Sequence, residues 1–368
     1  MTAVPTLPCF SIEQLLLARR LLSTQVAIMM GRKMEEGDWA KVYCAAKGIP
    51  LAGWSNLAID VVYGHLGVEH KMICRKSDQP IMASCGSEIM HPAGTRSIRI
   101  PDVEDPTAAA RDVLRQYAEL VHSRSRFVNI LDRYNHSALS LDDAAAELMA
   151  VYPEMKKPAA RRLIPPRPMP TDANYAPRET DLRTGWLLWQ DSLREFLYFE
   201  VATVAPNPSD YYAVWMERGG GGRRKKSRNL WVFHNDTKQK HFSITTEAGA
   251  KIQPYFRVPA PDDPNLYHFI TQGEQLPDGM VRIWVTEVTA SFLQDVLGST
   301  DPDVVSKAVL DVEPLAKKEG PMALFASVAV ELLISAPAYE GLRAKFPGVS
   351  DEHMVQQMLL ALKSRKTA

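Results

Sequence analysis

Seven prolines between positions 153 and 177 constrain this chain more than any other feature: Pro153, Pro158, Pro165, Pro166, Pro168, Pro170 and Pro177. Each fixes φ and removes a backbone donor, so the stretch suits neither a long helix nor a central strand. An extended linker is expected over 153–180. The chain has 368 residues, enough for two hydrophobic cores on either side of it. The division expected is a first domain over 1–152, a β-rich domain over 181–295 and a helical region over 296–368.

In the first part, Ser11 and Gln14 have capping-box spacing and open a helix running to about Glu35 and Glu36. Asp38 can cap a second helix, ended by Gly48 and Pro50. Leu57–Tyr63 and Val68–Arg75 are rich in β-formers around a Gly64-His65-Leu66-Gly67 turn, which predicts a hairpin. Arg96–Ile100 alternates as a third strand. A helix is expected over Thr107–Val121, a strand over Phe127–Leu131 and a helix over Ser140–Tyr152. Beyond the linker, Leu197–Val201, Tyr211–Trp215 and Leu230–Phe233 suggest antiparallel strands, and helices return from Asp301. Met322–Ala338 is apolar but short and carries Glu331, as a buried helix would.

Composition narrows the function classes. With 43 Lys+Arg against 43 Asp+Glu, the chain is not a uniformly basic nucleic-acid coat, although a local basic groove remains open. Cys9, Cys44, Cys74 and Cys85 include no CxxC pair, which disfavours a disulfide framework or structural zinc. No export signal is apparent at the start, so a cytoplasmic protein with reduced thiols is expected. Neither a phosphate loop, a dinucleotide glycine turn, a GxSxG elbow nor HExxH is present.

Chemistry concentrates in Glu69-His70-Lys71. Alternation puts Glu69 and Lys71 on one face of the second hairpin strand, with His70 pointing away. Asp60, on the partner strand, can converge on that face, and Glu36 or Glu35 can add an acid from the preceding helix. Two carboxylates and an ammonium suit Mg²⁺-dependent phosphodiester hydrolysis, with Lys71 orienting the attacking water or stabilising charge on phosphorus. A plain salt bridge between neighbouring strands accounts for the same three residues.

Asp60 with Glu69-His70-Lys71 resembles the D…(D/E)xK site of the PD-(D/E)xK nuclease superfamily, which includes most type II restriction endonucleases. The expected order of helix, three strands, helix and strand is similar to that family's core. The resemblance spans Ser11 to Leu131, roughly a third of the chain. Ile59 stands where the motif often has proline. The resemblance implies a restriction-endonuclease-like α/β core, a mixed sheet flanked by helices. It implies Mg²⁺-dependent cleavage of double-stranded DNA to 5′-phosphate and 3′-hydroxyl ends. Asp60 and Glu69 would hold the metal with Glu36 as an auxiliary, Lys71 would assist catalysis, and a homodimer would cut both strands.

Between Arg218 and Lys240, eight cations face one acid, Asp236, and Gly219–Gly222 make the leading part a flexible loop. Arg223, Arg224, Lys225, Lys226, Arg228, Lys238 and Lys240 are therefore candidate phosphate contacts, as are Arg96 and Arg99 on the third strand. Arg124 and Arg126 invite the same role. Tyr211, Tyr212 and Trp215 suit base stacking or, more commonly, a β-domain core. Two other functions fit the same residues: a non-catalytic nucleic-acid-binding or regulatory protein, and a nuclease for RNA or branched DNA.

Overall fold

The computed structural model describes residues 5–29, 32–50, 59–76, 78–90, 100, 104–164, 175–176, 178–218, 227–245, 251–312 and 329–367. In chain order these form β1 (Thr6–Leu7), α1 (Ile12–Met29), α2 (Glu36–Lys47), β2 (Val61–Tyr63), β3 (Leu66–Arg75) and β4 (Glu88–Met90). Then come α3 (Pro106–Asn135), α4 (Leu141–Val151), α5 (Lys157–Leu163), β5 (Asp181–Gln190) and β6 (Glu195–Ala202). The middle continues as β7 (Tyr211–Arg218), β8 (Ser227–His234), β9 (Lys240–Thr245), β10 (Lys251–Arg257) and β11 (Tyr267–Ile270). The last elements are β12 (Glu274–Gln275), β13 (Met280–Thr286), α6 (Glu287–Leu297), α7 (Pro302–Asp311), β14 (Ala329–Ser335), α8 (Ala336–Lys345) and α9 (Asp351–Thr367). The protein is thus mixed α/β. Among the described residues no helix is long and apolar enough to cross a membrane.

Three sheets organise it. A mixed sheet runs β1-β6-β5-β3-β2, with β11 also pairing to β6; β3 and β5 are parallel over ten residue pairs. Parallel neighbours need a crossover connection, and α3, α4 and α5 lie within it. An antiparallel sheet runs β4-β10-β9-β8-β7, and a smaller one β12-β13-β14. The expected boundary over 153–180 is therefore crossed: β3 and β5 share one sheet, and β4 pairs with β10. Pro158 sits in the first turn of α5, where its missing donor costs nothing, while Pro165, Pro166, Pro168, Pro170 and Pro177 lie outside the described residues.

Two further expectations fail for physical reasons. The strand expected at Phe127–Leu131 is the last third of α3. Its apolar residues continue at helical spacing as Phe127, Ile130, Leu131 and Tyr134, and pack against Ala144, Leu148 and Ala160 of α4 and α5. The helix expected across Met322–Ala338 gives way over its described part to β14, which sits among the helices α7, α8 and α9 of the region expected to be helical over 296–368. That strand pairs with β13 over seven positions, and Val330, Leu332 and Ile334 face the last core. The third strand expected at Arg96–Ile100 lies, except for Ile100, outside the described residues.

The mixed sheet is covered on both faces. Leu22 and Val26 of α1 and Trp39 and Tyr43 of α2 pack one side, with Val68, Tyr198 and Phe269. On the other side Val121 and Val128 of α3 meet Ile59 and Leu182. The earlier turns of α3 pass to the antiparallel sheet, where Ala109, Val113 and Leu114 cover Ala213, Leu230 and Ile244. One 30-residue helix, about 45 Å long, thus ties the two sheets together.

Candidate active site

The β2–β3 hairpin carries the candidate site at the start of β2. Val61 pairs with Val68, so the antiparallel register puts Asp60 opposite Glu69. Oδ2 of Asp60 accepts the His70 backbone N–H at 2.7 Å, which fixes its carboxylate against β3. Nζ of Lys71 lies 2.8 Å from Oε1 of Glu69 and 3.0 Å from the His70 carbonyl.

Glu36 comes from the first turn of α2. Its Oε1 is 4.0 Å from Nζ of Lys71, and its side chain is about half exposed. Asp38 is not itself the helix cap. It sits in the first turn, its carboxylate accepting the Glu35 N–H at 2.9 Å and held by Arg32 at 2.8 Å. That bond fixes the helix start beside the hairpin. The four residues singled out for catalysis and metal binding therefore meet at one place.

The structure brings Arg124, a candidate phosphate contact, to the same place. Its guanidinium reaches from α3 to Oε1 of Glu69 at 3.0 Å, the oxygen already held by Lys71. No local spacing joins positions 69 and 124; the crossover that lays α3 over β3 does so. His70 points to the opposite face, as alternation predicts, and is fully buried. Its Nδ1 is 3.3 Å from the Tyr198 hydroxyl, which donates to buried Glu200 at 2.8 Å, and Arg183 pairs with Glu200 at 3.0 Å. Burial, and then the Lys71 charge, push the His70 imidazole down to about 3, so this ring stays neutral.

Charge at the hairpin is finely set. Burial, and then the nearby Glu69 charge, raise the Asp60 carboxyl to about 7 against the opposing pull of the His70 amide and Lys71. Around neutrality Asp60 thus holds a proton that a cation in its place would displace. Among the described residues no group of three or more His, Cys, Asp or Glu side chains forms a closed metal cage. Two hard carboxylates nevertheless suit Mg²⁺, which keeps several waters and uses one or two carboxylates with substrate oxygens. Asp60 and Glu69 would hold such an ion, with Glu36 at the rim.

Apart from Arg124, the candidate phosphate contacts do not gather here among the described residues. Arg96, Arg99, Arg223, Arg224, Lys225 and Lys226 lie outside the described residues. Arg228 is on β8, paired in register with Glu217. Lys238 and Lys240 lie over aromatic rings of the antiparallel sheet. Tyr211 and Trp215 face the core beneath α3, and the Trp215 indole donates to the Glu104 carbonyl at 3.0 Å. No known protein family, no curated protein and no solved structure matches the chain.

Proposed function

We propose that this protein is a Mg²⁺-dependent endonuclease that hydrolyses phosphodiester bonds of double-stranded DNA, in the manner of a type II restriction enzyme. The observation that carries the proposal is the meeting of Asp60, Glu69 and Lys71 on one hairpin, with Asp60 opposite Glu69 and Lys71 2.8 Å from Glu69. The resemblance to the PD-(D/E)xK superfamily rests on those residues, since the strand expected at Phe127–Leu131 to complete its core order is part of α3.

Bound at Asp60 and Glu69, Mg²⁺ would lower the pKa of a coordinated water and neutralise charge on the scissile phosphate. Lys71 sits where its ammonium can hold the attacking water or the developing negative charge. The Asp60–His70 hydrogen bond keeps the first carboxylate in place before metal arrives. Cleavage of both strands would call for a homodimer with two-fold symmetry.

A second reading is a non-catalytic nucleic-acid-binding protein. Glu69 already carries two cations, Lys71 and Arg124, and such an ion-paired cluster can be structural. The deciding experiment incubates plasmid DNA with wild-type protein and Lys71→Ala in Mg²⁺, and measures DNA binding in Ca²⁺. Cleavage by the wild type alone, with binding kept by the variant, supports the nuclease. Cleavage that survives Lys71→Ala, or a wild type that binds but never cuts, overturns it.

A further inference from the structure

The outer face of the antiparallel sheet β4-β10-β9-β8-β7 plays no part in the site above. Its inner face is filled by α3, whose Ala109, Val113 and Leu114 pack on Ala213, Leu230, Val232 and Ile244. Strand alternation sends the intervening residues outward. Tyr212 pairs with Phe233 and Val214 with Trp231 across β7 and β8; Phe233 pairs with Lys240 and Trp231 with Ser243 across β8 and β9. On β10, Gln253 pairs with Ser243, and Tyr255 follows two positions on, facing the same way.

An antiparallel sheet with one wet face ordinarily carries polar residues there. This face carries four aromatic rings instead. Tyr212, Trp231, Phe233 and Tyr255 are all partly accessible, and none joins a buried hydrophobic cluster of the described residues. Val214, beside Trp231, is 39 % exposed. The rings are ordered: Tyr212 and Phe233 stack at 5.4 Å between centroids, with planes 19° apart.

Cations complete the face. Nζ of Lys240 is 3.5 Å from the Trp231 ring centroid and 4.7 Å from that of Tyr255, and Nζ of Lys238 is 5.3 Å from that of Tyr212. Among the described residues, the outward positions of β7, β8 and β9 hold no carboxylate. Accessible rings with ammonium groups, and an acid only at the β4 edge, where Glu88 is ion-paired to Arg257 at 3.8 Å, match the two needs of a single strand: a surface for unstacked bases and charge for phosphates. A duplex hides its base faces and would leave the rings unused.

We propose that this face binds single-stranded nucleic acid. Bases stack on Trp231, on the Tyr212–Phe233 pair and on Tyr255, while Lys238 and Lys240 turn from the rings to the phosphates. The proposal goes beyond the nuclease and needs no metal. DNA and RNA offer the same chemistry here, so both are tried.

The test is fluorescence anisotropy of labelled oligo-dT and oligo-U with full-length protein in EDTA, where metal-dependent cleavage is silent. Binding of either oligomer is expected, with about tenfold weaker affinity for Trp231→Ala and most of it regained by Trp231→Phe. Lys240→Glu, a change at the sheet surface that leaves every ring in place, is expected to weaken binding and flatten its salt dependence. No binding of either oligomer overturns the proposal. So does unchanged affinity in both Trp231→Ala and Lys240→Glu, or equal competition by blunt duplex. Each of those results leaves the Lys71→Ala cleavage test untouched, so the two ideas fail separately.

Discussion

Arg124 holds Glu69 from the helix side: its guanidinium nitrogen lies 3.0 Å from Oε1, opposite the Lys71 ammonium at 2.8 Å on the same oxygen. Both partners are about 15 % exposed or less, so this pair is screened less than a surface one. A metal ion at Glu69 would meet the repulsion of both cations. Arg124→Gln is expected to tighten Mg²⁺ or Ca²⁺ binding by about three- to tenfold, because one competing positive charge is gone. Isothermal titration calorimetry on wild type, Arg124→Gln and Glu69→Gln reads this directly. Equal affinity in the first two would show that Arg124 does not compete.

Asp60 makes stability fall as pH rises. Its folded carboxyl stays protonated to about 7, against an ordinary 3.8 when unfolded. Between those values the folded chain binds the extra proton, so unfolding free energy decreases with pH and levels off above about 7. Asp60→Asn removes that slope, and the amide oxygen can still accept the His70 N–H. Relative to wild type, the variant should gain on the order of 2 kcal/mol across this window. Metal binding should release a proton near neutrality and weaken below it. Urea titrations from pH 4 to 8 check the first point; a wild-type curve rising with pH over that range would refute it.

The hairpin and the convergence of Asp60, Glu69, Lys71 and Glu36 were legible because period-2 alternation and a tight turn fix which side chains face together. His70 was legible for the same reason. The pairing of Arg124 with Glu69, and the places of Tyr198 and Glu200, were not, since each is brought to β3 by a pairing or crossover more than 50 residues long. The parallel β3–β5 pair was hidden by the same distance, and by a proline-rich stretch that looks like a boundary. Phe127–Leu131 misled because a short apolar run fits a strand or a helix equally well. Tyr212 and Tyr211 are neighbours of like chemistry with opposite fates, and only the placement of α3 decides which is core.

Gly67 sets how closely α3 can approach the hairpin. A Cβ there would lie 2.6 Å from Cγ2 of Val128, and 3.1 Å from the Cδ1 atoms of Ile59 and Leu182. Gly67→Ala therefore pushes against Val128 of α3, one helical turn from Arg124. A destabilisation of about 1–3 kcal/mol is expected, as for other overpacked cores. Val128→Ala removes the methyl that clashes, at its own cavity cost. The double variant should then lose less than the sum of the two singles, by about 1 kcal/mol or more. Denaturant unfolding of the four proteins in the cycle measures it. Additive losses would mean that the helix does not rest on Gly67, and that the Arg124–Glu69 contact is set by some other part of α3.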